Sequence, residues 1–409
     1  MIPESWDRAL SGELEELARA GNLRGLRCLE PEPGTRVRLD GRTLVNCSSN
    51  DYLGLAHDAG LLAEFYATLS PETLVPRFGL GAASSRLLTG NHENYRLLED
   101  ALAAAYGRES ALVFNSGYHA NLGILAALAG PRDAIFSDRL NHASLLDGAR
   151  LSGAKLFRYN HLDQEHLKAL LRKHRSQYRR ALLVTESVFS MDGDVANLAG
   201  LADLRDGYDL FFYVDEAHAA GVFGDQGLGC CETQKAADRI DLVLGTFGKA
   251  WGSAGAYALC DRRVRDYLVN KARPFIFTTG LPPVVVHWNR FVLERMPGWN
   301  GRRQKLAGLA GRLRQALQSS GLTTGGESQI VPIVIGSNAD TLAAAEALMT
   351  EGLLLLPIRP PTVPAGTARL RISLTAAMAW EDVCRIPEIV RPILAMPPHG
   401  RDERSRLAL

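Results

Sequence analysis

Short apolar runs alternate with amphipathic helical patterns through the middle of this chain, and that alternation restricts the fold more than any other feature. Ala111 to Phe114, Ala134 to Ser137, Leu182 to Thr185, Leu210 to Val214, Leu242 to Leu244 and Gly255 to Leu259 are each short enough for a strand and apolar enough for burial on both faces. Between them, Glu165 to His174 and Leu198 to Arg205 repeat apolar residues at helical spacing. Strands and helices taken in turn predict an α/β domain: a large, mainly parallel sheet with helices on both faces.

The flanks read differently. A helix is expected from Glu4 to Ala20, stopped by Gly21, and then a small hairpin from Arg36 to Asn46 turning at Asp40-Gly41. Beyond Pro282 come helices from Val284 to Arg295 and Arg303 to Ser319, a strand from Ile330 to Ile335, and a helix from Thr341 to Thr350. Strands near Leu353 to Ile358 and Arg369 to Leu374 and a last helix from Trp380 to Leu394 complete a smaller α+β domain. The expected division is therefore 1–45 (helix and hairpin), 46–282 (large α/β domain) and 283–409 (small domain), with Arg401 to Leu409 as a frayed tail.

Charge argues against some partners. With 46 basic and 45 acidic residues, no basic excess points to nucleic acid. The six cysteines are scattered without a C-x-x-C pair, as in reduced cytosolic proteins, so no metal site is expected. Met1 to Ser5 lacks a basic region followed by an apolar one, and runs such as Leu122 to Ala129 are too short to span a bilayer. The expectation is a cytoplasmic protein without a membrane anchor.

The chemistry gathers at strand ends. The run Leu210 to Val214 ends in Asp215, with His218 three residues on. Ligands of open α/β sheets sit beyond the carboxyl ends of strands, where a sheltered carboxylate can keep a pyridine nitrogen protonated. Leu242 to Leu244 leads into Gly245-Thr246-Phe247-Gly248-Lys249-Ala250-Trp251-Gly252. A desolvated lysine is a nucleophile toward aldehydes, Gly245, Gly248 and Gly252 would let backbone approach a flat ligand, and Thr246 offers a hydroxyl to phosphate. This is no P-loop, since Val243 stands five before Gly248 and Ala250 replaces the required hydroxyl residue. Gly117 opens a helix after the Phe114 strand, a natural anion site. His142 and Ser190 follow two further strands, where a flat ring and a hydroxyl donor would serve a ring cofactor.

Each signal alone has an ordinary structural explanation: a capping aspartate, a surface lysine, a bystander histidine. Together they place an amine, a carboxylate, a helix start and an imidazole on successive strand ends of one sheet. No nucleophile elbow, H-E-x-x-H or dinucleotide fingerprint competes. The joint expectation is a pyridoxal-phosphate enzyme with its cofactor carried as a Schiff base on Lys249.

Asn46 to Leu55, Val188 to Asp194, Val214 to His218 and Thr246 to Lys249 resemble the α-oxoamine synthases, a family with the type I pyridoxal-phosphate fold, and the likeness runs from about Asn22 to Leu394. Within that family, Ile358 to Arg371 looks most like the member that serves biotin synthesis. The resemblance implies a decarboxylative Claisen condensation of L-alanine with an acyl thioester, pimeloyl carried by coenzyme A or a carrier protein, in a homodimer. It implies Lys249, His142 and Asp215 as catalytic residues, and cofactor contacts from Gly117, Tyr118, Ser190, His218 and Thr246. Thr278 and Thr279 would reach the phosphate of a neighbouring subunit. Arg371 with Asn50 would hold the amino-acid carboxylate, His142 would also face the substrate, and Arg24 and Thr362 would touch it. Glycine C-acetyltransferase, serine palmitoyltransferase and 5-aminolevulinate synthase are alternatives within the family, and a non-catalytic binding module is a distant one. Two stretches depart from the pattern: Phe78 to Arg86 is poorer in glycine, and Tyr95 stands where many members carry histidine.

Overall fold

The computed structural model describes residues 2–395, which form two compact units, so the expected tail Arg401 to Leu409 lies outside the described residues. The larger unit is Asn50–Ser190 with Asp194–Leu306. Its centre is a seven-stranded sheet in the order Ser110–Phe114, Ala256–Cys260, Leu242–Thr246, Phe211–Asp215, Ala181–Glu186, Ala134–Asp138, Lys155–Tyr159. The last five are parallel neighbours, and only Ala256–Cys260 runs antiparallel to both strands beside it.

The central strands are buried from end to end, which explains their unbroken apolar runs. Lys155–Tyr159 was not expected as a strand. It is the sheet edge, and its exposed Lys155 and Arg158 break the apolar pattern while guarding that edge against foreign pairing.

Two helices flank the site. Gly117–Leu128 is capped by Ser116, whose Oγ accepts from His119 N at 3.1 Å. Ala143–Ser152 starts at His142 and stops at Gly153, whose φ is +71°. They pack closely because Gly148 has no side chain: a Cβ there would lie 2.6 Å from the Asn121 carbonyl oxygen.

The helix Pro283–Arg295 belongs to this unit rather than to a C-terminal domain starting at 283. It buries Trp288 and Phe291 against Phe65, at ring separations of 5.1 and 5.3 Å.

The smaller unit joins residues 2–49, 191–193 and 307–395, so the N-terminal segment is not separate from the C-terminal one. Arg36–Leu39 and Arg42–Asn46 pair through an Asp40-Gly41 turn in which both residues have positive φ. The strand expected from Leu353 to Ile358 is two pieces. Leu353–Leu354 runs parallel to the hairpin at Val45 and Asn46, while Pro357–Ile358 joins Ala368–Ser373 and Ile330–Gly336 in a three-stranded sheet. The expected final helix begins as a single 3-10 turn, Trp380–Asp382, before the helix Ile386–Ala395. Among the described residues no helix is long and apolar enough to cross a membrane.

Candidate active site

Lys249 lies just past the Leu242–Thr246 strand, and its Nζ is 2.7 Å from His218 Nε2. His218 Nδ1 is 2.6 Å from the Tyr52 hydroxyl, which donates to Asn50 Oδ1 at 3.1 Å. A hydroxyl that donates to Asn50 accepts from Nδ1–H, and the remaining lone pair on Nε2 faces the amine. Asn50, Tyr52, His218 and Lys249 thus form one proton-bearing chain, whose middle members Tyr52 and His218 are buried.

Two of the three glycines of this loop, Gly245 and Gly252, are required by packing, whereas Gly248 is exposed with only ordinary contacts. A Cβ on Gly245 would sit 2.1 Å from the Tyr257 ring, and one on Gly252 would sit 2.6 Å from Ala56 N. Beneath them Phe247, Trp251 and Tyr257 form a buried aromatic floor, with Phe247 at 5.0 Å from each of the other two rings.

Asp215 ends its strand with both carboxylate oxygens engaged: Ala217 N donates to Oδ1 at 2.9 Å and Asn121 Nδ2 to Oδ2 at 2.8 Å. Asn121 also reaches Ser144 Oγ at 2.9 Å and accepts from the Tyr213 hydroxyl. No motif marks Asn121. It is one buried polar residue on the inner face of Gly117–Leu128, visible only once the helix is set against the sheet.

His142 Nδ1 accepts from Ser144 N at 3.2 Å and lies 2.8 Å from Ser144 Oγ. Burial lowers its pKa and outweighs the nearby Asp215 charge, while Lys249 lowers it further, so the ring is neutral. Its backbone N–H donates to Glu186 Oε1 at 2.5 Å. Glu186 stands directly opposite Asp215 in the sheet register. Burial and then Asp215 push the Glu186 carboxyl up to about 8, so Glu186 keeps its proton at neutral pH. Asp215 and Lys249 both act electrostatically on His142 and on Glu186.

Gly117 opens its helix facing Thr246, whose Oγ1 would be 3.9 Å from a Cβ at that glycine. The Thr246 hydroxyl donates to Gly255 O at 3.0 Å and accepts from Gly248 N at 3.2 Å. Tyr118 meets the His142 ring edge-on at 6.4 Å, and its hydroxyl donates to Asp147 Oδ2 at 2.5 Å. Ser190 is buried in the loop after Glu186. Thr279 accepts through its carbonyl from Asn115 Nδ2 at 2.6 Å, next to exposed Phe277 and beside Thr278.

The smaller unit carries the other expected residues. Arg24 Nη2 donates to Thr362 Oγ1 at 3.0 Å. Arg359, which the sequence reading passed over, donates to the Gly21 carbonyl, and burial followed by the neighbouring Arg24 charge lowers its pKa. Two guanidinium groups close enough to act on each other are a pairing suited to an anion. Arg371 is buried on Ala368–Ser373 and donates to Ser373 Oγ at 2.7 Å.

Tyr95 is a brace in the larger unit: its phenol oxygen accepts from Leu281 N at 2.5 Å, and the Arg86 guanidinium lies 3.9 Å above its ring. Among the described residues no group of three or more acidic, histidine or cysteine side chains could hold a metal ion.

Residues 42–388 match the aminotransferase class I and II family. The chain is 49% identical over 357 residues to the 8-amino-7-oxononanoate synthase of Chlorobaculum parvum, covering 86% of this chain and 91% of that relative. Serine palmitoyltransferase from S. paucimobilis, solved with a bound PLP–myriocin aldimine, matches at a TM-score of 0.86 and 29% identity, over 96% of this chain and 98% of its own. The 8-amino-7-oxononanoate synthase of Francisella tularensis matches at 0.71 and 25% identity, over 85% and 97%.

Proposed function

The chain belongs to the aminotransferase class I and II family, and from that premise we propose that it is an 8-amino-7-oxononanoate synthase. With pyridoxal 5′-phosphate as cofactor it would condense L-alanine with a pimeloyl thioester, releasing CO2 and the free thiol, as a step of biotin synthesis. One observation carries the reading. An amine hydrogen-bonded to histidine, a carboxylate fixed by two donors and a neutral imidazole follow the ends of strands of one sheet, and Gly117 opens a helix facing Thr246.

These residues fit the cofactor. When bound, it supplies an electrophilic carbon for an amine and a ring that withdraws electrons from a substrate Cα. Asp215, held by Asn121 and Ala217, keeps a proton on a ring nitrogen. Neutral His142 offers its flat face to the ring, and Ser190 its hydroxyl to a ring substituent. The first-turn N–H groups at Gly117 and Tyr118 take the phosphate, with Thr246 turning its hydroxyl from Gly255 toward it. Lys249 removes the Cα proton, and His218 Nε2 orients the amine. Arg371 holds the amino-acid carboxylate. Arg24, Arg359 and Thr362 seat the distal carboxylate of a dicarboxylic acyl chain, a feature that a simple fatty acyl chain would not need.

The exposed apolar side chains Leu74, Val75, Leu80, Leu88 and Phe277 favour a homodimer, in which Thr278 and Thr279 would serve the neighbouring site. The enzyme would work in the cytoplasm. The test is an amino-acid and thioester panel on the purified chain with pyridoxal phosphate. L-alanine with a pimeloyl thioester should exceed glycine or serine, and a palmitoyl thioester, by at least about tenfold in kcat/KM. Preference for serine and palmitoyl would replace the reading with the serine palmitoyltransferase one, and no absorbance change on adding cofactor would end it.

A further inference from the structure

Two segments of the larger unit carry residues assigned above to the cofactor: residues 138–142, ending in His142, and 187–190, ending in Ser190 and followed in that unit by Asp194. Both are tied to a side chain that belongs to neither. His161 Nδ1 is 2.9 Å from Asp138 Oδ1, and its Nε2 is 3.1 Å from Asp194 Oδ2. An ionised carboxylate only accepts, so both ring nitrogens carry hydrogen and the ring is an imidazolium.

Each end of this bridge is braced. Asp138 is fully buried and also accepts from Leu140 N at 2.8 Å and Leu162 N at 2.9 Å, which shapes the turn leading to His142. The Asp194 carbonyl accepts from Phe189 N at 2.9 Å, which closes the loop around Ser190. Phe189 itself packs edge-on to the imidazole at 4.4 Å.

The surrounding titratable groups leave the cation's role to His161. Burial and Asp138 push the Tyr159 phenol well up, so it stays neutral. Arg158 donates to the Arg139 carbonyl, and Asp163 caps the following helix through His166 N. His166 Nδ1 is turned to Asn160 N. Among the described residues no second cation lies within ion-pair distance of Asp138 or Asp194.

We infer that His161 is a positioning residue, a cationic clamp that fixes the Ser190 loop against the His142 loop and so sets the grip of the site on its flat cofactor. The inference rests on the pyridoxal-phosphate reading of that space. Burial opposes the charge, but the bonds to Asp138 and Asp194 carry His161 up to about 9. The clamp is therefore complete below the ordinary histidine pKa of about 6.5 and is lost as pH rises through about 9.

The experiment compares wild type with His161→Gln, a neutral side chain of similar reach. Pyridoxal-phosphate dissociation constants are read by absorbance from pH 6.5 to 10. At pH 7 the variant should bind about tenfold or more weakly, and the ratio should fall toward one by pH 10, because the wild type has then lost the same charge. A ratio that stays constant across pH marks a merely space-filling histidine and overturns the clamp, as does equal binding at pH 7. Asp194→Asn serves where His161→Gln fails to fold: it weakens the pull on the imidazole and should move the wild-type fall in affinity to lower pH, and an unmoved fall overturns the clamp. If the wild type itself takes no pyridoxal phosphate, the cofactor reading falls, and the clamp is judged by melting temperature. His161→Gln should then melt below wild type at pH 7, with the gap closing by pH 10. An unchanging gap, or none at pH 7, overturns it.

Discussion

The amine of Lys249 meets the imidazole of His218 at 2.7 Å, and the far nitrogen of that imidazole meets the Tyr52 hydroxyl at 2.6 Å. The lysine that is expected to move protons is thus aimed by a hydrogen-bonded chain reaching back to Asn50. Replacing His218 with Phe should keep cofactor uptake but lower kcat by about 10²-fold, the usual scale for losing a group that handles protons. Replacing Tyr52 with Phe should have a smaller effect of the same kind. Steady-state rates beside cofactor absorbance check both, and a full-rate His218→Phe enzyme would remove His218 from the mechanism.

Asn121 holds the Asp215 carboxylate without itself reaching the sheet end. Asn121→Ala would leave a buried carboxylate one donor short, which costs about 1–3 kcal/mol. The expected outcome is weaker cofactor binding by about tenfold or more, with the loss shared by kcat. An equilibrium titration checks it.

Glu186 is raised to about 8 by burial and by Asp215, far above an ordinary glutamate near 4.5. An acid whose folded pKa is raised contributes stability below its unfolded pKa and loses it as pH climbs through the folded value. Between about pH 4.5 and 8 the wild type should therefore lose ground steadily to Glu186→Gln, which carries no such penalty. Melting temperatures of the two across that window check the sign.

The two anion seats of the smaller unit should separate kinetically. Arg371→Ala should raise the KM for the amino acid by about 10- to 100-fold, the worth of one charged hydrogen-bonded contact. Arg24→Ala or Arg359→Ala should raise the KM for the pimeloyl thioester and spare the amino acid. A shared effect on both substrates would mean that these arginines support the fold instead.

Ala83 adopts φ +54°, a left-handed conformation that disfavours any side chain. It is exposed, so nothing is lost by removing its methyl group. Ala83→Gly should stabilise the chain by about 0.5–1 kcal/mol, the strain relieved less the extra freedom of the unfolded glycine. Chemical denaturation checks this.

Much of the layout was legible in the chain because strand ends carry both fold and chemistry. A buried strand in a parallel sheet is a continuous apolar run, and the polar residue that ends it, such as Asp215 or Thr246, is placed at the ligand edge by the same rule. Residues whose partners come from elsewhere were not legible. Asn121 is an ordinary helical residue until Asp215 faces it, and Tyr52 became part of the lysine's surroundings only through His218. Glu186 acquires its unusual proton affinity from a register with Asp215 that no local spacing encodes. Lys155–Tyr159 hid because an edge strand is polar for a reason. Gly245 and Gly252 were assigned to a ligand, whereas the Tyr257 ring and the Ala56 backbone claim their space.

The central claim is that Lys249 is the amine that takes the cofactor. Incubation with pyridoxal phosphate, reduction with borohydride, proteolysis and mass measurement of the peptides test it directly. The account predicts a single reduced phosphopyridoxyl adduct on the peptide containing Lys249, absent from Lys249→Ala. An adduct on a different lysine of the native chain, or none at all, would contradict it.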